Sequence, residues 1–207
     1  MNHNPTLTCR RFRNNDWSTA ETIGLHQAWL SALQPEFRPA TVRTAWRDDA
    51  LLVFAELEDA DVFNSETRFN ALAYEKGDVF EIFLRPLEQN SYFEFHVGPA
   101  NQKLQLRFPA PGILTQTGLK PEYFITQPVI TTEVRLLPEQ QQWTVSAEIP
   151  FALVQEVGRV RAGTQWLFSF SRYDYTRGQA KPVLSSSSPH QQLSYHRIEE
   201  WGTLTFA

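Results

Sequence analysis

Short runs in which apolar and polar residues alternate, each separated from the next by turn residues, limit the folds open to this chain more than any other feature. "TVRTAW" (41–46), the turn "RDD" and "LLVFAELED" (51–59) read as one hairpin. "DVFEIFLR" (78–85) and "YFEFHVG" (92–98) read as a second, which "QKLQLRF" (102–108) extends. "QPVITTEVRLL" (127–137) with "QWTVSAEIPF" (142–151) makes a third, and "QWLFSFSRYDY" (165–175) and "EWGTLTF" (200–206) are further strands. Helical spacing is confined to "STAETIGLHQAWLSAL" (18–33) and to a turn or two of "FALVQEV" (151–157) after Pro150. Strands at hairpin spacing must bury their apolar faces against another sheet. The expected fold is therefore all-β, an antiparallel β-sandwich of jelly-roll type, over a single domain spanning 1–207. The 15 Phe, 6 Trp and 6 Tyr suit pleated, half-buried surfaces, which agrees with that expectation.

Side-chain parity locates the acids of the second hairpin. Successive side chains of a strand point to opposite faces. Phe80, Ile82 and Leu84 therefore share a face with Phe93, Phe95 and Val97 if Glu81 stands opposite His96 and Phe83 opposite Glu94. That register leaves Glu81, Arg85, Tyr92, Glu94 and His96 on the reverse face. Such a row can be a solvated sheet face with cross-strand charge pairs. It can equally be a polar, aromatic-edged surface for a hydroxyl-rich ligand. Periodicity does not choose between the two.

Several classes of function are set aside by composition. A net charge of −4 without clustered Lys and Arg offers no nucleic-acid footprint. No apolar run is long enough to cross a bilayer, so no membrane partner is expected. The start "MNHNPTLTCRRFRNN" has no apolar signal core, which reads as cytoplasmic as written, or as secreted if the N-terminus was trimmed. One cysteine, Cys9, cannot form an internal disulfide or a multi-thiolate metal site.

Metal and cofactor signals are sparse. "EDADVFNSE" (58–66) gathers oxygen donors, with Asp59 and Asp61 the candidate ligands of a structural calcium ion. The alternative is that these Asp residues form Asx-turns after a strand. His3, His26, His96, His190 and His196 show no metal-binding spacing. Glu81 and Glu94 are diagonal neighbours within carboxyl reach, but an open sheet face lacks the enclosing cleft that glycosidase chemistry needs, so no enzyme is expected.

Taken in order along the chain, several motifs resemble family-9 carbohydrate-binding modules, a branch of the DOMON-like β-sandwiches. "NNDWSTAETIGL" (14–25) resembles the family's opening segment, and "TAWRDDALLVFAELEDADV" (44–62) its W-D-D hairpin. "EKGDVFEIFLRP" (75–86), "SYFEFHVGPANQ" (91–102), "WTVSAEIPFALV" (143–154) and "WLFSFSRYDYTRG" (166–178) resemble its central strands. "LSSSSPH" and "YHRIEEWGTLTF" resemble its close.

The resemblance implies noncatalytic binding of a saccharide, in characterised members between two aromatic rings. It assigns Glu81 as the ligand-binding glutamate, puts His96 and Gly98 where an Arg and an Asn are used, and sets the first ring near Tyr74. Arg172 aligns with a family arginine and becomes a candidate ligand donor, although alternation groups it with inward-pointing Trp166, Phe168 and Phe170. The second ring, expected at or near Ser187, is missing. Tyr173, Tyr175 or Trp201 could replace it. The alternatives implied are a scaffold domain with a protein partner, and a haem-binding DOMON domain. Met/His ligation is not available to the latter because the only Met is the initiator, and a bis-His site using His96 with His190 or His196 stays open.

Overall fold

The computed structural model describes residues 3–207. Its strands in chain order are β1 (Thr6–Arg11), β2 (Thr22–Gly24), β3 (Ala40–Trp46), β4 (Ala50–Glu58), β5 (Val79–Pro86) and β6 (Tyr92–Val97). These are followed by β7 (Lys103–Phe108), β8 (Thr131–Leu137), β9 (Gln142–Pro150), β10 (Gln165–Asp174), β11 (Val183–Ser186) and β12 (Gly202–Phe206). The expected hairpins β3–β4, β5–β6–β7 and β8–β9 all form, antiparallel.

Two sheets result, joined through β1. One runs β7-β6-β5-β10-β12-β1, with β11 beside the second half of β10. The other runs β1-β3-β4-β9-β8, with β2 on β3. The N-terminal part of β1 lies parallel to β12 and its last two residues parallel to β3, so one strand turns the corner between the layers. These parallel pairings are the departure from a purely antiparallel sandwich.

The core lies between the layers. Phe80, Ile82, Leu84, Phe93, Phe95, Trp166, Phe168 and Phe170 from one sheet meet Val42, Leu51, Val53, Trp143, Val145 and Ile149 from the other. Burying each such side chain contributes about 1.5–3 kcal/mol. The register of β5 on β6 pairs Glu81 with His96 and Phe83 with Glu94, so the parity argument holds.

Its corollary, a solvated reverse face, does not hold. Phe83, Tyr92, Leu104, Leu106 and Phe108 on that face pack against Tyr123, Tyr195, Ile198 and Trp201 from the loops that cover it, forming a second apolar cluster. Glu81, Glu94 and His96 are consequently 2%, 5% and 1% exposed. The sequence did carry the signal. Leu104, Leu106 and Phe108 stand opposite His96, Glu94 and Tyr92, which makes the row too apolar to face water.

The segment 18–33 forms no helix. Thr22–Gly24 pairs with β3 and His26 bridges Ser186, so strand pairing overrides the mixed local pattern. The helix after Pro150 is a single turn, α2 (Phe151–Val154). It follows α1 (Ile113–Thr117), which sits in the covering loops and which the pattern did not indicate. Among the described residues no helix is long and apolar enough to cross a membrane.

Candidate functional site

The site grows from the outer face of β5, β6 and β10. Ser171 pairs with Glu81 and Tyr173 with Val79, so Tyr173 lies on the same face as Glu81. Tyr74 arrives from a single turn of 3-10 helix, Ala73–Glu75, just before β5. Asn64 Nδ2 donates to the carbonyls of Ala73 (2.9 Å) and Asp78 (3.1 Å), and Tyr175 Oη donates to the Tyr74 carbonyl (2.8 Å). Gly77 makes this turn feasible. Its φ is +152°, and a Cβ there would collide with the Phe63 carbonyl and Asn64 Cα.

These elements bound a hollow of ≈ 240 Å³ whose lining includes Tyr74, Glu81, Glu94, Tyr173, Tyr195 and His196. It is smaller than the roughly 300–1,000 Å³ of pockets for drug-sized molecules. Tyr74 and Tyr173 are 5.5 Å apart between ring centroids and tilted by 40°. At that separation two rings touch each other. They form one wall, with no space between them for a ligand.

The floor is a buried polar chain. His96 Nε2 lies 2.5 Å from Glu94 Oε1 and 3.1 Å from Glu81 Oε1. Glu94 Oε2 lies 3.5 Å from His196 Nε2, and His196 Nδ1 is 3.0 Å from Tyr92 Oη. Among the described residues, Glu81 Oε2, Glu94 Oε2 and His96 Nδ1 are buried without a hydrogen-bond partner. Each such atom costs about 1–3 kcal/mol.

Burial pushes the Glu81 carboxyl well above the usual range. The charge on His96 opposes this, and Glu94 adds to it. At Glu94 burial acts upward too, but His196 and then His96 outweigh it and the net direction is down. Burial lowers His96, yet Glu81 and Glu94 together raise it. Burial holds His196 low. Burial thus favours the neutral form of Glu81, while the pairing with His96 favours the charged form of Glu94. Tyr74, pushed up to about 12 chiefly by burial, stays a neutral phenol.

Of the residues singled out by sequence, Tyr74, Glu81, His96 and Tyr173 come together here. Arg172 does not. It is fully buried on the core side of β10, with Nη2 3.0 Å from Asp59 Oδ2 and 3.3 Å from Asp174 Oδ1. The sheet separates it from the hollow, because its neighbours Ser171 and Tyr173 take the outer face.

The proposed calcium pair is also divided. Asp59 sits with Asp78 and Asp174 around Arg172, while Asp61 pairs with Arg177 and donates its backbone N–H to Asp59 Oδ1 (2.8 Å) in an Asx-turn. Ser187, where a second ring was sought, is buried and accepts from the Phe170 N–H (2.9 Å). Trp201 lies in the outer apolar cluster and donates to the Tyr195 carbonyl (2.7 Å).

Sequence reasoning missed Tyr195 and His196 as parts of the hollow. Both lie in an irregular loop with no periodicity to place them.

The same architecture occurs in solved structures. A family-9 carbohydrate-binding module from Caldicellulosiruptor kristjanssonii, solved with cellotriose, matches with a TM-score of 0.68 at 18% identity, over 97% of this chain and 93% of that one. A structure of a family-9 module from the same organism, solved with glucose, matches with a TM-score of 0.66 at 18% identity, over 98% and 95% of the two chains. This chain has the family-9 fold.

A protein assigned as carbohydrate-binding from Bacteroides uniformis matches with a TM-score of 0.75 at 16% identity, over 99% of this chain and 100% of that one. The sequence matches no protein-family model and no curated protein. In the family-9 fold of this chain, the acid row of β5 and β6 sits beneath the loops that carry Tyr74 and Tyr195.

Proposed function

We propose that this chain is a noncatalytic carbohydrate-binding domain and that one sugar ring of its ligand enters the hollow beside Tyr74. The observation that carries this reading is the joining of two buried carboxyls to an aromatic wall at the edge of a sugar-sized cavity, on a fold shared with carbohydrate-binding modules. Glu81 and Glu94 present acceptors for sugar hydroxyls, and Tyr74 and Tyr173 present flat apolar surface to the face of the ring.

Hydrolysis is disfavoured by the geometry of the acids. A glycosidase holds its two carboxyls on either side of the scissile bond, about 5–9.5 Å apart. Here both carboxyls hydrogen-bond or ion-pair with one nitrogen, His96 Nε2, and approach from the same floor. They cannot flank a glycosidic bond.

A broad glycan screen followed by calorimetric titration tests the reading. The expected result is millimolar to micromolar binding that Glu81→Ala abolishes. A wild type that binds no glycan in the screen refutes it.

A further inference from the structure

The floor of the hollow has a composition that hydroxyl recognition alone does not require. Glu81, Glu94 and His96 each offer one ligand atom, and these atoms all lie within 4.8 Å of one another. His196 Nε2 stands a further 3.5 Å from Glu94 Oε2, at the rim. Two carboxylates and two imidazoles form a mixed N/O set of the kind that divalent first-row transition ions take. Atoms about 2.1 Å from a common ion stand about 3.4 Å apart in a tetrahedron. The 3.1 Å from His96 Nε2 to Glu81 Oε1 is close to that edge, whereas the 2.5 Å from His96 Nε2 to Glu94 Oε1 has to open by about 1 Å as the ion enters.

A second observation points the same way. Glu81 Oε2 is a buried acceptor with no hydrogen-bond donor among the described residues, Glu94 Oε2 has only His196 Nε2 at 3.5 Å, and both residues line the hollow. Buried acceptors of this kind call for a partner.

From this geometry we infer that Glu81, Glu94 and His96, with His196 at the rim, form a binding site for one divalent transition-metal ion of the zinc type. Two carboxylates balance the ion's charge, and the two imidazoles bind as neutral ligands. The open side of the ion faces the hollow, where a ligand oxygen can complete its coordination. That a saccharide hydroxyl supplies this oxygen rests on the reading given above. The metal site itself does not.

The test uses the full chain, stripped with a chelator and dialysed, then titrated calorimetrically with zinc chloride and separately with calcium chloride. The expected result is one equivalent of zinc bound, with calcium at least tenfold weaker and a rise in thermal midpoint on adding zinc. Glu81→Gln and His96→Gln should each weaken zinc by tenfold or more, while Asp174→Asn, in the separate Asp59–Asp78–Asp174 cluster, should leave it unchanged. Circular dichroism identifies variants that remain folded. If His96→Gln is unfolded, the near-isosteric Glu81→Gln decides alone.

Absence of stoichiometric zinc binding overturns the inference, as does binding that folded Glu81→Gln leaves intact. A chain that binds sugar but no zinc refutes the metal site and keeps the saccharide reading. A chain that binds zinc but no glycan does the reverse.

Discussion

Glu81 Oε1 lies 3.1 Å from His96 Nε2 across the β5–β6 pair, and neither side chain is more than 3% exposed. The two residues face each other because the pleat puts them on one side of the sheet. They are dry because the loops 113–124 and 190–201 close over that side. Pairing and burial have separate causes, and they lead to separate predictions.

The aromatic wall predicts a graded response to truncation. Tyr74 and Tyr173 support each other ring to ring, so losing either removes one ring of the wall and the packing partner of the other. Tyr74→Ala and Tyr173→Ala should each weaken saccharide binding by about tenfold, or about 1.4 kcal/mol. Calorimetric titration of the folded variants measures this. Unchanged affinity in both would remove the wall from the site.

The turn that delivers Tyr74 depends on Gly77. Gly77→Ala should destabilise the protein by at least about 1 kcal/mol, because φ there is +152° and the added Cβ meets backbone rather than a movable side chain. Urea denaturation with an unchanged m-value checks this.

Arg172 predicts a stability effect without a binding effect. Replacing it with Met leaves Asp59 and Asp174 buried without their cation, which should cost about 3–5 kcal/mol. Saccharide affinity of the folded fraction should stay within twofold of wild type. A large loss of affinity in folded protein would mean that Arg172 reaches the ligand.

The same cluster carries a pH signature. Burial raises the Asp174 carboxyl from 3.8 to about 6, opposed by Arg172, reinforced by Asp59 and opposed weakly by Arg38. A raised carboxyl binds its proton more tightly folded than unfolded. Its contribution is therefore complete below about pH 4 and is lost as pH rises through about 6. Wild type should lose stability relative to Asp174→Asn over that window, by an amount on the order of 1–3 kcal/mol, and the difference should be flat above it. Denaturant midpoints of both proteins from pH 4 to 8 give the comparison. A parallel course across the window would contradict it.

Much of this molecule was legible in its sequence because strand periodicity is a local property. The β5–β6 register followed from the need to put Phe80, Ile82, Phe93 and Phe95 on one side. That argument placed Glu81 against His96 residue for residue. The covering layer was not legible, because Tyr195 and His196 reach the site through a loop of irregular backbone. Its only trace was the apolar row Leu104, Leu106, Phe108 on a face otherwise read as wet. The serines of 185–188 were similarly opaque. They read as low complexity but form a buried hydroxyl ladder, with Ser188 Oγ donating to Ser169 Oγ at 2.8 Å and Ser186 Oγ 3.1 Å from Ser169 Oγ. Side chains this small are selected by close approach between strands, which periodicity does not report.

The most direct test of the central claim is calorimetric titration of wild type and Glu81→Gln with the saccharide that binds most strongly in a broad glycan screen. Glutamine keeps the shape of the side chain while removing its acid. The account predicts saturable binding to wild type with a dissociation constant of millimolar or below, and none to folded Glu81→Gln. Equal affinity in the two proteins would contradict it.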